Sequence, residues 1–265
     1  MEEVFVLKIR VKYTKTGVLR FIGHLDIMRF FQKAIRRAKL DVKYSKGFSP
    51  HQIISFAAPM PLGMTSEGEY FDGEFNSITS KEDMMKKLND TMPNEVRVLD
   101  ISILEDNEKP SMSVVSASDY YIYKNDECEN DNIRKLIDII ESFNNKEKIE
   151  ILKKTKTKEE TSDIAPMIIK LCSYEEYVNG GGKPAFSYCD EIKNEHQGGK
   201  DGIYMLLCSG SRGNLKPELV IEAMCKEAGL LYNRYDYMIH RLETYMGDID
   251  DLHPLSDAGT KKYEE

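Results

Sequence analysis

The chain lacks closely spaced cysteines. Its five, Cys128, Cys172, Cys189, Cys208 and Cys225, are odd in number and widely scattered, and no two form a Cys-x-x-Cys pair. This excludes a zinc site or an iron–sulfur cluster built on that spacing. It leaves the cysteines as small buried residues of a reducing compartment. Also missing is an apolar run near the roughly 18–20 residues needed to cross a bilayer. The first residues, Met1-Glu2-Glu3-Val4, are acidic where a secretory signal is basic. The expectation is a cytoplasmic protein with no membrane partner, no metal and no cofactor.

With 265 residues, 41% hydrophobic and 31% charged, the chain can bury a substantial core in one or two domains. The net charge is −8, which argues against a purely electrostatic nucleic-acid binder. The charge is unevenly placed, however. Residues 1–51 hold twelve Lys or Arg against four acids, a net of +8 that leaves −16 for the remainder. Such asymmetry points to an anionic partner for the basic part.

Val4 to Tyr13 alternates as a half-buried strand, and Thr14 to Gly17 reads as a turn. From His24 to Lys39 the period becomes helical. Leu25, Met28, Phe31, Ile35 and Ala38 form the expected core stripe, and Arg29, Lys33, Arg36 and Arg37 share the opposite face within an arc of roughly 100°. Strands follow at Ile53–Ala58 and Glu67–Phe75. A helix over Lys81–Met92 has Ser80 as its N-cap, and Val96–Leu104 is a strand. The order β-α-β-β-α-β is that of a split βαβ domain. After a polar linker the second half repeats this loosely. Strands fall near 116–123, 149–154, 164–172, 203–208 and 235–245, and helices near 132–143 and 217–228.

The predicted fold is therefore α+β, with two ferredoxin-like (βαββαβ) domains in tandem built on antiparallel sheets. The expected boundaries are 1–105 for the first domain, 106–113 for the linker and 114–246 for the second domain. A polar insertion at 175–201 and a disordered tail at 247–265 complete the plan.

Polar and conformationally special residues concentrate in three segments of the first half: 20–26, 44–51 and 61–70. Together they carry Arg20, Phe21, His24, Leu25 and Asp26; Arg36 and Arg37; Tyr44, Ser45, Gly47, Phe48, Pro50 and His51; Ile54, Ser55 and Phe56; and Leu62, Gly63, Ser66, Glu69, Tyr70 and Asp72. This combination resembles the radical-SAM-linked family of uncharacterised bacterial proteins. Gly23, Asp41 and Gln52 depart from that pattern, where Ser, Pro and Pro are usual. The resemblance implies a protein encoded beside, or fused to, a radical SAM enzyme, and it supplies no established reaction. The chain itself has no cluster-binding cysteines.

Each feature has two readings. His24 and Asp26 either cap and hydrogen-bond locally at a helix start or act directly as catalytic groups. His51 either closes its loop or faces the same cleft as His24. The basic residues Arg20, Arg29, Lys33, Arg36, Arg37, Lys43 and Lys46 are either a solvated surface or phosphate contacts, with Tyr44 and Phe48 placed to stack on unpaired bases. Ser209 to Gly213, before a helix start, is an ordinary turn or an anion site. Two functions follow. The first is a non-catalytic partner that binds RNA, tRNA or rRNA, or presents substrate to a radical SAM enzyme. The second is a metal-independent RNA-processing enzyme using His24 and His51 as acid and base.

Overall fold

The computed structural model describes residues 6–129, 131–154, 159–188, 201–210 and 213–258. Residues 189–200 of the expected polar insertion, the centre of the 209–213 turn and the last seven residues lie outside these. In chain order the elements begin with β1 (Leu7–Lys15), α1 (His24–Arg37), β2 (Ile54–Phe56), β3 (Thr65–Phe75), α2 (Lys81–Asn89), β4 (Val98–Leu104), α3 (Ser111–Val114) and β5 (Val115–Lys124). They continue with α4 (Asn132–Asp138), α5 (Ile140–Asn144), β6 (Glu150–Lys154), β7 (Glu159–Asp163), β8 (Ile168–Ser173) and α6 (Tyr174–Asn179). The last are β9 (Gly202–Cys208), α7 (Pro217–Glu227), β10 (Tyr237–Asp248) and β11 (Asp251–Pro254). Two compact units result: Met1–Ser116 with Glu243–Glu265, and Ala117–Leu242.

In the first unit β1 pairs antiparallel with both β3 and β4, and β2 pairs antiparallel with β3. Val11 stands opposite Phe71 on one side and Ile101 on the other, so the period-2 pattern sends Ile9, Val11, Phe71 and Ile101 into one core. Two helices supply the other half of that core, α1 through Ile27, Phe31, Ala34 and Ile35, and α2 through Met84 and Leu88. The buried stripe of α1 runs 27-31-34-35-38, not from Leu25, which is 65% exposed. Leu25 sits in the first turn, on the side of the helix away from the sheet. Ser80 caps α2 as expected, its Oγ accepting from Asp83 N at 3.1 Å.

Residues 247–258 are ordered, contrary to the expected tail. β11 folds back on the end of β10, with Met246 opposite His253. Leu255 is fully buried, and its carbonyl accepts from Arg10 Nη1 at 3.1 Å. The segment is too short to show a period, and what orders it is a set of contacts with distant residues.

In the second unit β5 pairs with β9 and β9 with β8, both antiparallel. The strand expected at 149–154 forms, yet among the described residues it pairs with β7 alone, in a separate two-stranded sheet. The helix expected over 132–143 breaks at Ile139 into α4 and α5. Pro217 opens α7 at a position where its missing N–H is no loss. Cys172, Cys208 and Cys225 are buried, and Cys128 is half-buried. The described architecture is mixed α+β with antiparallel pairing.

Candidate nucleic-acid interface

The site grows from the first turn after β1. Gly17 takes φ +53, and a Cβ there would stand 2.7 Å from Glu95 Cγ, so both conformation and space require glycine. The short 3₁₀ turn Gly17–Phe21 then delivers Arg20 and Phe21 to the surface, the guanidinium 4.7 Å from the Phe21 ring centre. Gly63 N donates to the Arg20 carbonyl at 2.9 Å, which brings the 60–63 loop beside this turn.

His24 opens α1. It is half-buried and meets Phe56 edge-on at 5.5 Å. Asp26 lies in the same first turn, exposed, and pairs with Arg29 at 3.4 Å. Along the helix Arg29, Lys33, Arg36 and Arg37 are all exposed, and Arg37 Nη2 donates to the Thr91 carbonyl at 2.9 Å. Lys33 and Arg36 make no ion pair among the described residues. Lys43 is held by Glu74 at 2.8 Å, whereas Lys46 is exposed.

The loop after α1 is a closed excursion. Tyr44 bridges Gln52, and Ser45 N donates to the His51 carbonyl at 2.8 Å. Ser45 Oγ lies 2.9 Å from His51 Nδ1 and accepts from His51 N at 3.1 Å. His51 thus closes its own loop and stays exposed. Gly47 turns the tip at φ +122, with Pro50 exposed beyond it. Phe48 projects fully into solvent and Tyr44 is 46% exposed. Gln52 Nε2 donates to the Gln32 carbonyl at 3.2 Å and ties this loop to the middle of α1.

Beneath His24 lies a small cleft, with room for about one water molecule, whose polar lining is Lys15, Glu69, Tyr13 and Tyr70, with Phe56 and Met60 among the apolar walls. Neither Asp26 nor His51 is among its lining residues. Lys15 is only 3% exposed and donates from Nζ to the Ile22 carbonyl at 2.9 Å. Tyr70 donates to Glu243 Oε1 at 2.6 Å. Burial, reinforced by the Glu243 charge, holds the Tyr70 phenol well above its ordinary pKa, so it serves as a neutral donor. Lys12 bonds the other oxygen of Glu243.

The remaining motif residues build the frame. Ser66 is buried and its Oγ accepts from Gly68 N at 3.0 Å. Ser55 stands opposite Asp72 in the β2–β3 register. Asp72 takes Arg10 Nε at 2.8 Å and Nη2 at 3.3 Å, and also accepts Ser111 N at 2.6 Å. Gly63 holds φ +87 in its loop. Sequence reasoning misses Lys15, Tyr13 and Arg10. An interior lysine or arginine on an alternating strand is the available signal, and Arg10 and Lys12 share a face opposite the apolar one.

Among the described residues no group of three or more His, Cys, Asp or Glu side chains is placed to hold a metal ion. No helix among them is long and apolar enough to cross a membrane. Fold and site define an α+β protein whose first unit presents a basic helix, an aromatic-tipped loop tied to that helix, and a small polar cleft at the helix's first turn. The chain belongs to a bacterial family described as "Uncharacterized protein conserved in bacteria (DUF2344)", whose model matches residues 8–217. No curated protein matches the chain.

Proposed function

We propose that the chain is a cytoplasmic partner of a radical SAM enzyme, non-catalytic in itself, that binds RNA or presents substrate in the modification of tRNA or rRNA. One observation carries the RNA reading. Four exposed cations lie along one face of α1, and the loop tied to that helix through Gln52 ends in a fully exposed Phe48. Cations at this spacing neutralise successive phosphates, and an exposed ring stacks on any unpaired base. The radical SAM partnership rests on the family resemblance across residues 20–72 and on the absence of cluster-binding cysteines. The ferredoxin-like reading of the first unit is supported by β1 lying between β3 and β4, with β2 on the far side of β3. In the second unit the support is β9 between β5 and β8.

The test is fluorescence anisotropy with a structured tRNA across a salt series. Replacing Arg29, Lys33, Arg36 and Arg37 together by Glu is expected to weaken binding by at least about 100-fold and to flatten the salt dependence. Unchanged affinity would remove the proposal's basis.

A second reading, an RNA-processing enzyme without metal, is favoured by the presence of His24 over Lys15, Glu69 and two phenols in one cleft. His51, bonded to Ser45, is the weaker of its two acid–base candidates. Cleavage of a structured RNA that disappears in His24→Ala supports this reading, and binding without turnover counts against it.

A further inference from the structure

The second unit carries an aromatic assembly in which the basic helix takes no part. Tyr121 of β5 stands opposite Tyr204 of β9 in the ladder. Strand alternation places Tyr123 and Leu206 on the same face, and Ile122, Ile203 and Met205 on the other. Tyr204 is fixed from the same face, its hydroxyl donating to the buried Asp119 at 3.1 Å. On this face lie α6 and the residues that follow it. Their rings lie against rings of the strands. Tyr174 stacks on Tyr121 at 3.8 Å, and Tyr177 stacks on Tyr204 at 3.9 Å with planes 8° apart. Phe186 lies 4.0 Å from His240 of β10.

Flat rings seated on sheet aromatics at this separation have the geometry of nucleobases on an RNA-binding sheet, where two or three bases stack on strand side chains. The covering segment is held there against local preference. Phe186 takes φ +59, a region strongly disfavoured for a bulky side chain, and only Lys39 shares a positive φ among the other non-glycine residues described. The Ser187 hydroxyl is shielded from solvent with no hydrogen-bond partner among the described residues. Gly180, Gly181 and Gly182 precede it, and a Cβ on Gly181, which holds φ +92, would meet nothing within 4 Å.

We propose that Tyr121, Tyr204 and His240 form a stacking platform for unpaired bases of single-stranded RNA, and that Tyr174, Tyr177 and Phe186 occupy it until such a strand displaces them. The identity of the polymer rests on the RNA reading above, but the residues are different ones. Binding therefore includes the opening of the segment, and the apparent affinity is the intrinsic one reduced by the open fraction.

The experiment measures the apparent Kd of the full chain for a fluorescein-labelled single-stranded RNA of roughly 12 nucleotides. Phe186→Gly removes the ring that covers His240, while glycine accepts the φ of +59 without strain, so any gain in binding comes from the loss of the ring alone. It is expected to tighten binding about tenfold or more, and Tyr204→Leu added to it is expected to abolish the gain. In the wild-type chain, RNA is expected to speed amide hydrogen exchange across 180–188. The same Phe186→Gly gain is expected when Arg29, Lys33, Arg36 and Arg37 are all Glu, which separates this site from the basic helix. If Phe186→Gly folds and binds no more tightly, the platform is overturned. If it does not fold, the wild-type exchange decides, and slowed or unaltered exchange in 180–188 overturns the proposal.

Discussion

Arg10 is fully buried, and its charge is accommodated by three acceptors drawn from separate parts of the first unit. Asp72 takes two of its nitrogens, and the carbonyls of Leu255 and Lys109 accept at 3.1 Å each. A buried cation of this kind adds little stability over an apolar side chain, yet removing it strands what it paired with. Arg10→Leu leaves a largely buried carboxylate and is expected to cost about 3–5 kcal/mol in urea unfolding. A loss under about 1 kcal/mol would show that the Asp72 charge is relieved by other means. The double change Arg10→Leu with Asp72→Leu is expected to recover only part of this, because Ser111 N and the two carbonyls still lose their partner. The sequence marks Asp72 as special but not its partner, 62 residues away. Residue-level chemistry that depends on such a pairing is invisible until the strands are in register.

At the scale of elements, α1 is readable because fourteen residues carry one period, which fixes both its buried stripe and its basic face. Only its first turn departs from the reading: at 100° per residue Leu25 falls about 120° from Phe31 and beside Arg36, on the exposed face. Each phosphate that loses its cation on that face is expected to lower the slope of log Kd against log salt by about 0.7–0.9. Lys33→Gln and Arg36→Gln, taken singly, measure this without reversing charge. Helix α2 tests local capping separately. Ser80→Ala removes the acceptor for Asp83 N and is expected to cost about 1 kcal/mol in thermal unfolding. In the second unit legibility falls. The β6–β7 hairpin has the pattern of any short strand pair, and nothing in its composition says it stands apart from the main pairing. For the candidate site, the basic face and both aromatics of the loop are legible from residue type. The cleft is not, because Lys15, His24 and Glu69 come from three elements and meet only through the β1–β3 register and the turn between β1 and α1.

Across the whole molecule both units bury phenols, and this sets a common response to alkali. Burial raises Tyr70 in the first unit and Tyr121, Tyr204 and Tyr237 in the second well above the ordinary tyrosine value, and pushes Tyr232 up to about 12. Nearby negative charge adds to this, from Glu243 at Tyr70 and from Asp119 at Tyr204. In the unfolded chain these groups ionise near pH 10. Above that pH the unfolded state binds fewer protons than the folded one, so stability falls as pH rises. Below about pH 10 the contribution is fully present in both units. The urea midpoint is therefore expected to show no tyrosine-dependent change between about pH 7 and 9 and to drop steeply above about 10, with the phenolate absorbance of the buried rings appearing together with unfolding, after that of the exposed Tyr44 and Tyr235. Tyr70→Phe is expected to soften that drop, while at neutral pH it costs about 1 kcal/mol for the missing bond to Glu243, whose other oxygen keeps Lys12. If the full phenolate absorbance, beyond the share of exposed tyrosines such as Tyr44 and Tyr235, instead rose near pH 10 with the fold intact, these rings would be open to solvent and ionisable in place. Neither the neutral donor at the floor of the cleft nor the stacked platform of the second unit would then stand.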